Sequence, residues 1–142
     1  MPACKHSATE LRTVIEAQHA EHERLKKRGK HLTTLTPEER HSVRIAAKKT
    51  RYAAEFLASL YPRKRTHRYI EALAHLQDIL GIINDAVTTI TLMHDVDAAE
   101  QDATQQQAKG IVLGWVLGGS HVQIAALESV WNPFAEQKIF WL

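Results

Sequence analysis

Apolar residues recur three and four positions apart along most of the 142-residue chain, and no stretch alternates apolar with polar residues. This spacing predicts α-helices that each pack one apolar side against a neighbour, and it predicts no sheet. We expect about five helices, which follow Ser7 as far as Gly29, run from Thr36 to near Leu60, and cover about 66–93, 98–118 and 120–140. Short connections favour antiparallel neighbours, so the fold class is predicted as all-α, a single antiparallel helical bundle over residues 1–142.

Capping residues and helix breakers predict where these helices begin and end. Ser7 and Thr36 each precede a glutamate by three residues, which is the spacing of a capping box. Thr66 is the expected N-cap of the third helix. Because glycine disfavours a helix interior, Gly118-Gly119 is predicted to separate the fourth helix from the fifth. Asn132-Pro133 predicts a kink or a restart within the fifth helix.

The second predicted helix carries a row of polar side chains along one side. At about 100° per residue, these side chains share a stripe about 100° wide. They are His41, Arg44, Lys48, Arg51, Tyr52 and Glu55. The opposite side of the helix is apolar and is predicted to pack, so the row is predicted to face outward. Cations one helical turn apart suit an extended polyanion, while a solvated basic surface is the alternative that the pattern leaves open.

Charge is segregated along the chain, although the net charge is only +2. Residues 22–68 carry 14 Lys and Arg against four acidic residues, whereas residues 69–142 carry two Lys against nine acidic residues. The basic segment repels itself, which favours a bound anion. The single cysteine, Cys4, excludes an intrachain disulfide and fits a reducing cytoplasm. The apolar run from Ile111 to Leu117 is too short to span a bilayer, so no membrane partner is predicted.

A second polar motif, at residues 76–85, lies within the third predicted helix and reads Leu-Gln-Asp-Ile-Leu-Gly-Ile-Ile-Asn-Asp. Asp78, Gly81 and Asp85 are spaced to share one side, and a glycine there costs about 1 kcal/mol relative to alanine unless another helix approaches closely. We expect the two carboxylates to meet cations of the second helix. A divalent-metal site is less favoured because hard cations need more oxygen ligands. Histidine pairs such as His19 with His22 lack a supporting cysteine cluster, so no metal is predicted.

The two motifs together resemble a known family. His41-x-x-Arg44-x-x-x-Lys48-Lys49-x-Arg51-Tyr52-x-x-Glu55, followed by Leu76-Gln77-Asp78-x-Leu80-Gly81-x-x-Asn84-Asp85, is similar to the C-terminal half of a CHAD domain, the conserved histidine α-helical domain. Gly114-Trp115, Leu127 to Trp131 and Phe140-Trp141 resemble the close of that family's sequence. The resemblance covers about residues 36–142, whereas residues 1–35 contribute a leading helix and turn.

The resemblance implies a pseudo-twofold architecture of two four-helix-bundle-like halves, in which basic side chains of both halves line a central groove that binds inorganic polyphosphate. Hydrolysis in the family belongs to a separate triphosphate-tunnel domain, so no enzyme activity, catalytic residue or cofactor is expected. This chain is long enough for one half. We therefore expect a homodimer, or association with a missing N-terminal half, to cover the exposed surface. The expected localisation is cytoplasmic, in association with polyphosphate granules.

Particular side chains of the basic row are expected to bind polyphosphate. Arg44, Lys48 and Arg51 are the expected primary phosphate contacts, because arginine binds phosphate in a bidentate fashion and lysine as a point charge. The other expected contacts are Lys49, across the groove, and the hydrogen-bond donors His41 and Tyr52. Four basic residues of the following connector are expected to extend the groove at its mouth: Arg63, Lys64, Arg65 and Arg68.

Two other functions stay open. A basic helix also attracts RNA or DNA, although the row lacks interleaved aromatic side chains for stacking on bases. A metal-binding or phosphohydrolase accessory domain is less favoured, because Asp78 and Asp85 alone make a poor two-metal centre and no phosphate-binding glycine loop is present.

Overall fold

The computed structural model describes residues 7–95 and 102–142, and these residues form four α-helices and two single 3₁₀ turns. The helices are α1 (Ala8–Arg28), α2 (Pro37–Leu57), α3 (Arg63–Asp95) and α4 (Ala103–Glu136), and the 3₁₀ turns are Leu32–Thr34 and Ala58–Leu60. The all-α fold class is thereby confirmed, and no strand occurs among the described residues. The pseudo-twofold arrangement implied by the family resemblance stays a prediction.

One long helix replaces the fourth and fifth helices that the sequence predicted. Helix α4 runs without a break through Gly118-Gly119 and through Asn132-Pro133. Neither glycine adopts a positive φ. Leu127, Val130 and Phe134 stay on one buried side across the Asn-Pro pair, so packing outweighs the local preference for a break. The predicted loop after residue 95 and the predicted helix start at residue 98 lie outside the described residues, as does Cys4.

Capping explains two of the helix starts as predicted and corrects a third. The Ser7 and Thr36 side chains each accept a hydrogen bond from the backbone amide three residues on, and each capping box is complete. Thr66 does not cap α3, which was expected, because α3 already begins at Arg63. Instead, the Thr66 hydroxyl donates to the Arg63 carbonyl at 3.0 Å. The helix starts earlier because the Pro62 carbonyl accepts the first intrahelical hydrogen bonds.

Helices that follow one another in the chain pack side by side: α1 on α2, α2 on α3, and α3 on α4. Their shared core is apolar and includes Leu25, Leu32, Val43, Ala47, Leu57, Leu73, Leu76, Leu80, Ile83 and Leu127. Gly29 ends α1 against the ring of Trp131, and a Cβ at that position would collide with the ring. The glycine is therefore required by the close approach of α4, since its φ of −82° suits any residue.

An aromatic cluster closes one end of the helices. The segment after α4 folds back and buries Phe140 and Trp141 against Tyr69, and Trp141 also against His22. Phe134 of α4 packs on the same Tyr69 ring. Ring centroids within this cluster are 5.0–5.7 Å apart, in tilted or edge-to-face arrangements. The cluster ties α1, α3 and the end of the chain together.

Helix α4 differs from the others in its apolar composition. The run from Ile111 to Leu117, which was judged too short to span a bilayer, is part of this 34-residue helix. By length and composition α4 could cross a membrane, with a mean hydropathy of 1.5 over its most apolar 18 residues and only 6% of that window buried. The cytoplasmic localisation stays a prediction.

Candidate anion-binding site

The basic row of α2 and the second polar motif, on α3, face each other in the structure. The His41 Nδ1 atom lies 2.9 Å from Asn84 Oδ1, and Arg51 Nη1 donates to Gln77 Oε1 at 3.2 Å. From His41 to Arg51 the residue numbers on α2 rise, whereas those of their partners on α3 fall from Asn84 to Gln77. The two helices are therefore antiparallel. The two motifs, which are separated by 20 residues of sequence, therefore line one shared surface.

Arg44 occupies the centre of this surface, where it lies over Gly81. The Arg44 Nε atom is 3.7 Å from the position that a Cβ on Gly81 would take. The Arg44 side chain is half-buried, and its buried Nε has no hydrogen-bond partner. Within the described residues no carboxylate forms an ion pair with it. A partly desolvated guanidinium without a counter-ion is unfavourable, so this position favours an added anion.

Two lysines beside Arg44 are exposed and carry free charge. Lys48 and Lys49 make no ion pair among the described residues. The Lys48 Nζ atom lies 5.8 Å from the centroid of the Tyr52 ring, a weak cation–π contact that orients the ammonium group along α2. Tyr52 itself is exposed. Together with Arg44, the lysines present three cations that no side chain of the described residues neutralises.

Arg51 is the member of the row whose charge is already compensated. Its Nε donates to Glu55 Oε1 at 3.0 Å, one helical turn away, in addition to the bond with Gln77. Such partly exposed pairs within one helix contribute only a few tenths of a kcal/mol, about 0.3–0.5. A phosphate could therefore displace Glu55 at small cost, but Arg51 has less to gain from an anion than Arg44 does.

The family model of the CHAD domain matches residues 2–94. This chain belongs to the CHAD domain family. The match includes α1, α2 and nearly all of α3, and hence both polar motifs and most of the leading segment 1–35. Helix α4 lies beyond the matched residues. No curated protein and no solved structure matches the chain.

The CHAD motif on α3 contributes neutral amides to the surface where carboxylates were expected. No ion pair joins Asp78 or Asp85 to α2 within the described residues, and both aspartates are exposed. Gln77, Gly81 and Asn84 are spaced four and three apart and so share the side that faces α2, whereas each aspartate is one residue, or about 100°, further round. Gln77 lies four residues before Gly81 and Asn84 three residues after it, and this spacing could have predicted that both face α2. The prediction that Asp78 and Asp85 face α2 was wrong.

The basic residues of the connector form a separate patch in this CHAD domain chain. Arg65 and Arg68 line a cavity of about 380 Å³ with Lys138. Arg68 precedes Gln77 by nine residues, about two and a half turns, so it lies on the opposite side of α3 from the row. Arg63 and Lys64 are exposed in the same first turn of α3. This turn contains no acidic residue, whose negative charge would interact favourably with the positive end of the helix dipole. Arg65 and Arg68 therefore do not continue the α2 row.

A buried polar pair lies in the aromatic cluster, away from the basic row. The Tyr69 hydroxyl lies 2.7 Å from His22 Nδ1, and both residues are buried. Burial lowers the pKa of His22 to about 4. Two smaller effects of Lys26 and His19 also lower this pKa, whereas Glu23 raises it. Burial also raises the pKa of the Tyr69 hydroxyl above its ordinary value. Tyr69 as the partner of His22 was not anticipated from the sequence.

No group of three or more His, Cys, Asp or Glu side chains that could hold a metal ion occurs within residues 7–95 and 102–142. The pairing of His19 with His22 as a chelating set was the weaker alternative considered from sequence. His22 instead uses its Nδ1 atom for Tyr69.

Proposed function

We propose that this chain binds inorganic polyphosphate, or a similar phosphate-rich polyanion, on the surface between α2 and α3, and that it does so without catalysis. The observation that carries the proposal is the half-buried Arg44 guanidinium, whose Nε has no partner and which no carboxylate neutralises among the described residues. A phosphate oxygen at this position would supply both the missing acceptor and the missing negative charge.

The spacing of the row fits an anion that is a chain of charges. Arg44, Lys48 and Arg51 are four and three residues apart, so their side chains repeat about every 4.5–6 Å along α2. In our proposal Arg44 and Lys48 are the principal contacts, and Arg51 joins them once Glu55 is displaced. Lys49 adds charge from the edge of the row, where a chain lying along α2 passes it.

Hydrogen bonds from the rest of the surface orient the bound chain. Tyr52 is exposed next to Lys48 and its hydroxyl can donate to a phosphate oxygen. His41 uses Nδ1 for Asn84, which leaves Nε2 facing outward. When Nδ1 donates to the amide oxygen, Nε2 carries a hydrogen only in the imidazolium form. His41 therefore binds phosphate more strongly when it is protonated.

A binding role rather than catalysis is supported by the nature of the side chains around the row. The groups that meet between α2 and α3 are cations, amides and an imidazole, and Asp78 and Asp85 do not converge on them. Polyphosphate capture of this kind needs positive charge and donors, without an activated nucleophile.

The test is the affinity for long-chain polyphosphate of the double variant Arg44→Gln/Lys48→Gln, measured by titration calorimetry in about 0.15 M salt. Loss of two charge-assisted contacts is expected to weaken binding by at least about a hundredfold, since each is worth about 1.5–3 kcal/mol. The slope of log affinity against log salt should also fall by about two. A matched control, Arg12→Gln/Arg24→Gln, removes the same charge from exposed ion pairs on α1 and should leave the affinity within about threefold.

Two results would contradict the proposal. Equal losses in the row variant and in the α1 control would mean that only the overall charge attracts the anion. Competition by single-stranded RNA at the same concentration of phosphate groups would favour the nucleic-acid alternative.

The variant Arg65→Gln/Arg68→Gln provides a third comparison. Its loss of affinity for polyphosphate is expected to be below about threefold, because that pair lies off the row.

A further inference from the structure

The outward side of α4 is apolar over most of its length. Residues 110–127 contain no Asp, Glu, Lys or Arg. Three large side chains on this side are far from buried: Ile111 is 66% exposed, Trp115 83% and Val122 67%. The outer side of a surface helix is normally polar, and a contiguous apolar surface on a folded chain marks a place where something else binds.

Glycines on the same helix leave room for that partner to approach. A Cβ built on Gly110, Gly114, Gly118 or Gly119 would meet nothing within 4 Å. Each glycine inside a helix costs about 1 kcal/mol relative to alanine, and here no close contact within the described residues compensates. Glycines four residues apart allow the backbone of a second helix to come close, which is the usual way in which such a cost is recovered.

The order of large and small residues on this side is complementary to itself. Ile111, Gly114, Gly118, Val122 and Ala125 fall on one stripe at about 100° per residue. When two such helices cross in antiparallel directions at Gly118, residues equally far before and after it face each other. Ile111 of one copy then faces Ala125 of the other, and Gly114 faces Val122. Each large side chain thus meets a small one.

We propose that the α4 stripe, defined as Ile111, Gly114, Gly118, Val122 and Ala125, pairs two copies of this chain in an antiparallel homodimer with a twofold axis at Gly118. The large-to-small order favours a second copy over an unrelated partner, because the same surface on both subunits must fit itself. A groove of about 320 Å³ between α3 and α4, beside Ile82 and Trp115, offers space for a side chain of the second copy.

The dimer is tested independently of anion binding, since the α4 stripe contains none of the residues of the basic row. Sedimentation velocity of the full chain from about 1 to 200 µM should give a species of twice 16.1 kDa. Gly118→Leu should abolish it, because leucine blocks the close approach at the axis. The same variant should keep or raise helix content and stability, because leucine is the better helix former and a Cβ at that position meets nothing within 4 Å among the described residues.

Cross-linking tests the orientation. With Cys4→Ser as background, Gly118→Cys places two cysteines at the twofold axis, and mild oxidation should join them. Gln107→Cys is the matched control on the same side of α4. In an antiparallel pair it lies 11 residues from the axis, so two copies of it are about 33 Å apart and should not join.

Three outcomes would overturn the proposal. The first is a 16.1 kDa species at every concentration. The second is equally fast cross-linking through Gln107→Cys, which would mean a parallel pair or random collision. The third is tight binding of the wild-type chain and of Gly118→Leu alike to phosphatidylcholine vesicles, which would make a lipid surface the occupant of the α4 stripe.

Discussion

Acid is expected to destabilise this protein through a single buried histidine. His22 is almost completely shielded from water and contacts the rings of Phe134 and Trp141, while the hydroxyl of Tyr69 lies against its Nδ1 atom. Because burial raises the pKa of the Tyr69 hydroxyl, that group stays protonated and can donate to a neutral imidazole. A proton on His22 would be shielded from solvent, and no carboxylate among the described residues forms an ion pair with it.

The size of the effect follows from the two pKa values of His22. The ordinary value of 6.5 applies to the unfolded chain, and burial lowers the pKa to about 4 in the folded protein. Between these values the unfolded chain binds more protons than the folded one, so stability falls as the pH falls. The contribution is complete above pH 6.5 and is lost as the pH falls through the window to about 4. At about 1.36 kcal/mol per pH unit, the loss over the whole window is about 3 kcal/mol.

The measurement is urea unfolding at pH 7, 5.5 and 4.5, with His22→Gln as the matched control. Glutamine can accept the Tyr69 hydrogen bond and does not titrate, so its unfolding free energy should depend less on pH, by about 2–3 kcal/mol across the range. NMR titration of the His22 ring, assigned by its absence in the variant, should show that it stays neutral at pH 5. Parallel pH profiles for the two proteins, or a ring that titrates near its ordinary value, would refute the role given to burial.

Two glycine substitutions should change stability in opposite directions, each measured by urea unfolding. Gly29→Ala should destabilise the folded protein by about 1–3 kcal/mol, because its Cβ collides with the Trp131 ring. Trp131→Leu in the same chain should recover part of the loss. An unchanged urea midpoint for Gly29→Ala would disprove the close contact. Gly81→Ala should stabilise the folded protein by about 0.5–1 kcal/mol, because among the described residues its Cβ meets Arg44 Nε at an ordinary van der Waals distance of 3.7 Å. A destabilised variant would show that the packing of α2 on α3 requires glycine at this position.

Local signals in the sequence were enough to recognise the first three helices and the basic row, although α3 starts earlier than expected. The capping boxes at Ser7 and Thr36 are properties of four consecutive residues, so they could be recognised without tertiary information. The stripe on α2 depends only on helical periodicity, and three of its polar side chains, His41, Arg44 and Arg51, do lie beside α3. The family membership also followed from motif order and spacing within those helices.

Features that depend on packing could not be predicted in the same way. Gly118-Gly119 and Pro133 favour a break by themselves, and at Pro133 only the buried residues on either side, Leu127, Val130 and Phe134, show why α4 continues. Gly29 was interpreted as a helix-ending residue, whereas its real requirement is the Trp131 ring, which is 102 positions away. Whether Gln77 and Asn84 or the neighbouring aspartates face α2 depends on how α3 is rotated about its own axis. The two pairs lie about 100° apart on this helix, and sequence alone does not fix the rotation.

Phe140 and Trp141 are synthesised long after His22, although all three are buried in the same aromatic cluster. The contact between the His22 and Trp141 rings spans 119 positions, so at about 5–20 residues per second translation separates them by roughly 6–24 s. During that interval the emerging helices expose the apolar side chains that Phe140 and Trp141 later cover. Nascent chains of this protein should therefore recruit chaperones until the closing rings arrive, and slower translation should lengthen that dependence.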